Sequence, residues 1–172
     1  GWQTNDFVLN PSAYATARDS LPATIDTIQR LWRGEAVEMP GHDGRMIPTT
    51  TLPRPVQPEL PVWLTSAGST ATFERAGTLG VNLLTHLLGQ SVEQLTANIA
   101  AYRAAWDAAG HAGRGTVTLM LHTYLHHDAD EALRAAREPM KSYLRTATGL
   151  LKDMASAFPT FAGRKDAAEA FK

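Results

Sequence analysis

The stretch Val62-Trp63-Leu64-Thr65-Ser66-Ala67-Gly68-Ser69-Thr70-Ala71-Thr72 carries the reading of the fold. Its first four residues form a short run of aromatic, β-branched and aliphatic side chains, the composition of a buried strand. Small and hydroxylated residues follow, and the chain then enters a helical pattern over 69–79. Val81-Asn82-Leu83-Leu84-Thr85 repeats the strand signal. The next segment predicts a long helix over 91–109, with Ser91 as its cap, Glu93 and Gln94 in its first turn and Gly110 just past its end. A third strand is expected over 116–124, rich in Thr, Val and Leu. A further helix follows from 128 to about 151, with Asp128 as its cap and Pro139 inside it. Strands that alternate with helices predict right-handed βαβ units and a parallel sheet. Three such strands fit a small open sheet, or part of a closed (β/α)8 barrel, which needs eight strands and typically ~250 residues.

Upstream of this stretch the pattern is less regular. Asn10-Pro11 reads as a helix start, with a capping Asn and a Pro in the first turn. Pro22 interrupts any single helix from there to Trp32, so either a kink or a restart near residue 22 is expected. Leu21, Ile25, Ile28, Leu31 and Trp32 then share one helical face over 22–33, and Gly34 ends it. Residues 35–60 hold five prolines together with Gly41 and Gly44. Apolar residues recur through them (Val37, Met39, Ile47, Leu52, Val56), which predicts an ordered excursion and not a hinge. The chain opens on Gly1-Trp2-Gln3-Thr4-Asn5-Asp6 without a methionine, and it is expected to be a portion of something longer.

The chain has 172 residues, 44% of them hydrophobic and 19% charged, with a formal charge of −1. That supports a packed core, and without a basic patch it argues against a nucleic-acid partner. There is no cysteine, so disulfides and thiolate–metal sites are excluded. Apolar runs are too short for a membrane span, and with no signal peptide in view a cytoplasmic location is expected.

The chemistry-bearing residues fall at the ends of the expected strands. Small side chains at 65–72 let an anion approach the backbone, and the free amides and dipole of a helix N-terminus favour phosphate. Ser69 and Thr72 add hydroxyl donors. The plain alternative, Ser69 as a simple cap and Gly68 as a turn residue, is the commoner arrangement in α/β proteins. His86 ends the second strand and His122 lies near the end of the third, where parallel α/β sheets carry their sites. Each fits a proton-handling role near neutral pH as well as it fits a half-buried, hydrogen-bonded structural histidine. His122, His126 and His127 lack the spacing of a metal site, and no metal is expected. Glu131, Arg134, Arg137, Glu138 and Lys141 read as a solvated helix face. No Gly-x-Gly-x-x-Gly, Walker or Gly-x-Ser-x-Gly pattern is present, which disfavours dinucleotide-binding, P-loop and α/β-hydrolase chemistry.

Five stretches, in order, carry a resemblance. They are Gly1-Trp2 with Asn5-Asp6-Phe7-Val8-Leu9; Leu31-Trp32-Arg33-Gly34-Glu35; the run from Leu52-Pro53-Arg54-Pro55-Val56-Gln57-Pro58 to Val62-Trp63-Leu64-Thr65; Ser66-Ala67-Gly68-Ser69-Thr70-Ala71-Thr72-Phe73-Glu74-Arg75-Ala76-Gly77; and Leu83-Leu84-Thr85-His86-Leu87-Leu88-Gly89-Gln90-Ser91. Over residues 1 to about 150 the chain resembles the C-terminal half of the bacterial-luciferase-like, flavin-dependent monooxygenases, in particular those of natural-product assembly lines. Pro22 departs from the family, whose members keep helix formers there.

The resemblance implies a TIM barrel with FMN at its carboxyl-end face, and reduced flavin that activates O2 to oxygenate a small-molecule substrate. It places the flavin phosphate on Gly68, Ser69 and Thr72. It also brings Gly1, Trp2 and the neighbouring Asn5 and Asp6 close to the flavin ring. His86 and His122 would sit at the barrel mouth; they are candidate catalytic residues by their strand-end positions, and the resemblance carries no family role onto them. A partial barrel domain over 1–158, a C-terminal tail over 159–172 and a separate flavin reductase are further expectations. So is association, with a second copy or with the other barrel half, because a half-barrel exposes strand edges and core-facing side chains such as Leu83 and Leu119; the chain alone is expected to be inactive. The competing reading is a non-catalytic α/β module that dimerises or binds a phosphate-bearing ligand.

Overall fold

The computed structural model describes residues 4–87 and 90–152. The chain divides into two compact units, Gly1–Pro61 and Val62–Lys172.

The first unit begins with two 3-10 turns, Thr4–Phe7 and Pro11–Ala13, joined by an edge-on packing of Phe7 against Tyr14 with ring centres 5.2 Å apart. Helix α1 spans Ala17–Arg33. It starts five residues before Pro22, so Pro22 neither opens the helix nor follows a break. Proline lacks the N–H that would bond the Arg18 carbonyl, so the helix runs through Pro22 with that one bond missing. Asn10 sits before the second turn but does not cap it; its Oδ1 accepts from the Ser12 hydroxyl at 2.8 Å. Gly34 ends α1 in the left-handed conformation at φ 81°, its N–H bonding back to the carbonyls of Arg30 and Leu31.

The excursion that follows contains an antiparallel hairpin, β1 (Val37–Pro40) and β2 (Met46–Thr49), in the register Val37↔Thr49 and Met39↔Ile47. Three of the recurring apolar residues, Val37, Met39 and Ile47, are thus the strand residues. The turn between them is closed by Gly44 at φ 79° and by the Asp43 carboxylate, which accepts from the Arg45 amide at 3.1 Å. That bond, with the Arg45 side chain, holds the Asp43 carboxyl below the usual carboxylate range. A two-stranded sheet consists entirely of edges, which is why Pro40 and Pro48 are tolerated in it.

The second unit is an α/β layer pair. Strands β3 (Trp63–Thr65), β4 (Asn82–His86) and β5 (Val117–Met120) form a parallel sheet in the order β3-β4-β5. Leu64 pairs with Leu83 and Leu83 with Val117; Thr65 pairs with Leu84 and Leu84 with Thr118. Helices α2 (Thr70–Thr78) and α3 (Val92–Ala108) pack together over one face. Phe73, Ala76, Leu83, Thr85 and Tyr102 are fully buried there, with Val81, Leu95 and Trp106 around them. Burying the phenol pushes the Tyr102 pKa up, against the pull of the Arg103 guanidinium, and its hydroxyl donates to the Val81 carbonyl at 3.1 Å.

Ser91 caps α3 through a reciprocal pair. Its Oγ accepts from the Gln94 amide, and the Gln94 side chain accepts from the Ser91 amide. The last helix, α4 (Ala129–Lys152), is capped by Asp128, whose Oδ1 accepts from the Glu131 amide at 2.9 Å. Exposed charged residues along it pair locally, Glu131 with Arg134 and Glu138 with Lys141.

Two expectations need correction. The third strand stops at Met120 and does not run to 124, because its partner β4 ends at His86, the residue that pairs with Met120. Beyond that point Leu121, Tyr124 and Leu125 are exposed. Of the two core-facing residues expected to be exposed, Leu119 is 38% exposed, whereas Leu83 is 0% exposed, covered by the helices. The open face of the sheet instead carries Trp63, Thr65, Asn82, Leu84, His86, Thr118 and Met120, which alternate with the covered positions. Trp63 Nε1 donates to Thr118 Oγ1 at 3.1 Å across that face. Among the described residues no helix is long and apolar enough to cross a membrane.

Candidate functional site

All three parallel strands end on one edge of the sheet, so the turn after β3, the end of β4 and the segment after β5 share that edge. The Ser66 amide donates to the Leu84 carbonyl at 3.0 Å, extending the strand pairing by one residue. The buried Ser66 hydroxyl then closes the turn, accepting from the Gly68 amide and donating to the Ser69 carbonyl, both at 3.4 Å. Gly68 adopts φ +128°, a conformation open to glycine and costly for any other residue.

Ser69 occupies the cap position of α2 but its side chain makes no cap bond. Its carbonyl takes the amides of Thr72 (2.9 Å) and Phe73 (3.2 Å). Among the described residues, the amides of Ser69, Thr70 and Ala71 meet no acceptor, and neither do the hydroxyls of Ser69 and Thr72. Unsatisfied amides at the positive end of a helix dipole, flanked by two hydroxyls and a glycine, are a donor set that fits a phosphate dianion.

Two buried amides that sequence reasoning did not single out hold this turn from behind. Asn98 of α3, 5% exposed, accepts from the Thr70 hydroxyl at 2.7 Å and donates to the Gly68 carbonyl at 3.3 Å. Its Nδ2 also reaches Gln90 Oε1 at 3.4 Å. Gln90 in turn donates to Thr85 Oγ1 at 2.9 Å and to the His86 carbonyl at 2.6 Å. The available signal was positional: Leu95, Asn98, Tyr102 and Trp106 fall at helical spacing on one buried face, and Asn98 is the polar member.

His86 is the last residue of β4, half-buried on the open face, with its main chain pinned by Gln90. His122 lies two residues beyond β5, exposed, its ring 4.6 Å from that of Tyr143 on α4. Gly1 and Trp2 lie outside the described residues; Asn5 and Asp6 fall in the first 3-10 turn, in the other unit. The residues 159–172 expected as a tail also lie outside the described residues. His126 and His127 stack at 4.1 Å, and the His126 ring accepts from the Asp128 amide. Among the described residues no three His, Asp or Glu side chains gather as a metal site.

A parallel sheet backed by helices, with its small-residue turn on the carboxyl edge, matches a known class. The family model for luciferase-like monooxygenases matches residues 1–171, and the chain belongs to that family. Among solved structures, the crystal structure of monooxygenase RslO1 from Streptomyces bottropensis has the same fold over 91% of this chain, with a TM-score of 0.70 and 23% identity. The chain spans 49% of the length of that protein. No curated protein matches it.

Proposed function

We propose that these residues are the C-terminal portion of a (β/α)8 barrel in an FMN-dependent, O2-using monooxygenase of natural-product biosynthesis, and that the FMN phosphate sits on Gly68, Ser69 and Thr72. The observation that carries the proposal is the set of three acceptor-free amides at the start of α2, beside a glycine at φ +128°. When bound, reduced FMN supplies two electrons to O2, so that one oxygen enters the substrate and the other leaves as water. The chain's own part is to bind and to orient. The turn fixes the cofactor's phosphate, and the open sheet face with Trp63, Leu84 and Met120 lines the barrel interior. His86, half-buried at the barrel mouth, is the first candidate to hold or move a proton there, and His122 is the second. The small-molecule substrate and a reductase that delivers reduced flavin complete the cycle.

The test is flavin-fluorescence titration of the protein with its complete barrel. A hydrogen bond to a charged group is worth roughly 1.5–3 kcal/mol. At about 1.4 kcal/mol per decade, Ser69→Ala should weaken FMN about tenfold or somewhat more. Ser69→Asp should weaken it further, by adding like charge beside the phosphate. Unchanged affinity in both variants would place the phosphate elsewhere.

A further inference from the structure

We propose that Asn98 and Gln90 are positioning residues for the phosphate turn, two buried amides that aim its main-chain donors outward and tie it to the end of β4; this rests on the phosphate reading given above. The peptide between Gly68 and Ser69 is trans. In a trans peptide the C=O and the N–H point to opposite sides of one plane. Asn98 Nδ2 holds the Gly68 carbonyl from the α3 side at 3.3 Å. The Ser69 N–H of the same peptide is therefore turned away from α3, toward the position of the anion. Gly68 adds to the need for such a hold, since glycine leaves its flanking peptides the widest choice of orientation.

Thr70 is handled in the same way. Its hydroxyl donates inward to Asn98 Oδ1 at 2.7 Å, although the residue lies at the exposed start of the helix. The Thr70 amide stays directed at the anion, and the hydroxyl stays out of competition for it. Gln90 completes the device. Its Oε1 lies 3.4 Å from Asn98 Nδ2, and its own amino group bonds Thr85 Oγ1 and the His86 carbonyl. An apolar residue at 98 would pack beside Leu95 and Tyr102 without needing any partner, whereas a buried amide is tolerated because each of its ends is bonded. The turn after β3 and the end of β4 are thereby held as one block, and His86 keeps a constant main-chain position relative to the phosphate.

Binding of FMN and of riboflavin, which lacks the phosphate, to the complete-barrel protein separates this role from general stability. Asn98→Ala should raise the FMN dissociation constant about tenfold and leave that of riboflavin within about twofold. Thr70→Val, at the start of α2, should move FMN in the same direction by several-fold, and Thr70→Ser, which keeps the hydroxyl on Asn98, should restore it. The Thr70 pair carries the test if Asn98→Ala fails to fold. Equal losses of FMN and riboflavin would show ordinary destabilisation and overturn the proposal. Unchanged FMN binding in Asn98→Ala and Thr70→Val, with Ser69→Ala still weakening it, would overturn the positioning role alone. No effect in any of the three positions would remove the phosphate site and the positioning role together.

Discussion

Gly77 shows how little space separates the helices that back the sheet. It is buried in α2, and a methyl group there would press on the Tyr102 carbonyl and lie 2.9 Å from both Ala105 Cβ and the Trp106 amide. Alanine is the better helix former by roughly 1 kcal/mol. Backbone cannot withdraw as a side chain can, so the overlap should prevail. Gly77→Ala is expected to lower the unfolding free energy by about 1–3 kcal/mol, the usual cost of overpacking. Urea denaturation measures it, and stability equal to or above that of the unsubstituted protein would contradict the packing described. At this scale the sequence was informative where a residue acts through its own backbone. Gly68 and Ser69 are recognisable in the turn because small residues follow a strand and precede a helix. Asn98 and Gln90 were not, since their value lies in partners 28 and 5 residues away, Thr70 and Thr85, brought together by the fold.

Among the elements, α3 is the most fully specified by its own sequence. Its reciprocal Ser91–Gln94 cap satisfies two amides that the helix cannot bond internally. Ser91→Ala should therefore cost about 0.5–2 kcal/mol, read from a thermal or urea melt; no change would mean that solvent replaces the cap at no loss. Helices α2, α3 and α4 and strands β3 and β4 were legible for the same reason: cap, period and breaker agree locally. The hairpin β1–β2 was not, because Pro40, Pro48, Gly41 and Gly44 obscure a strand signal that only cross-strand pairing, Met39 with Ile47, makes visible. The overlong reading of β5 has a similar cause. Leu121 and Tyr124 have strand-like composition, but the pairing ends with β4, and composition carries no information about a partner's length. Pro22 does not restart the helix: α1 runs from Ala17 through it to Arg33 with one backbone bond missing.

On the scale of the whole molecule, the open face of the β3-β4-β5 sheet carries Trp63 at 43% and Met120 at 48% exposure, and Leu125 beyond it is 86% exposed. Apolar side chains beside an open strand edge favour association. Sedimentation of the chain by itself should show self-association, abolished or reduced when the remaining barrel half is supplied; a clean monomer at high micromolar concentration would contradict this. The parallel order of the strands and the family were both legible in the sequence, whereas the division at Pro61 and Val62 was not, because apolar residues recur on both sides of it. A crystal structure of the complete-barrel protein with FMN bound will show whether the start of α2 receives the flavin phosphate. The phosphate oxygens should lie within hydrogen-bonding distance of the Ser69, Thr70 and Ala71 amides and of the Ser69 and Thr72 hydroxyls, with Gly68 still at positive φ and its carbonyl still on Asn98. A phosphate bound at any other turn, with these amides facing solvent, would contradict it.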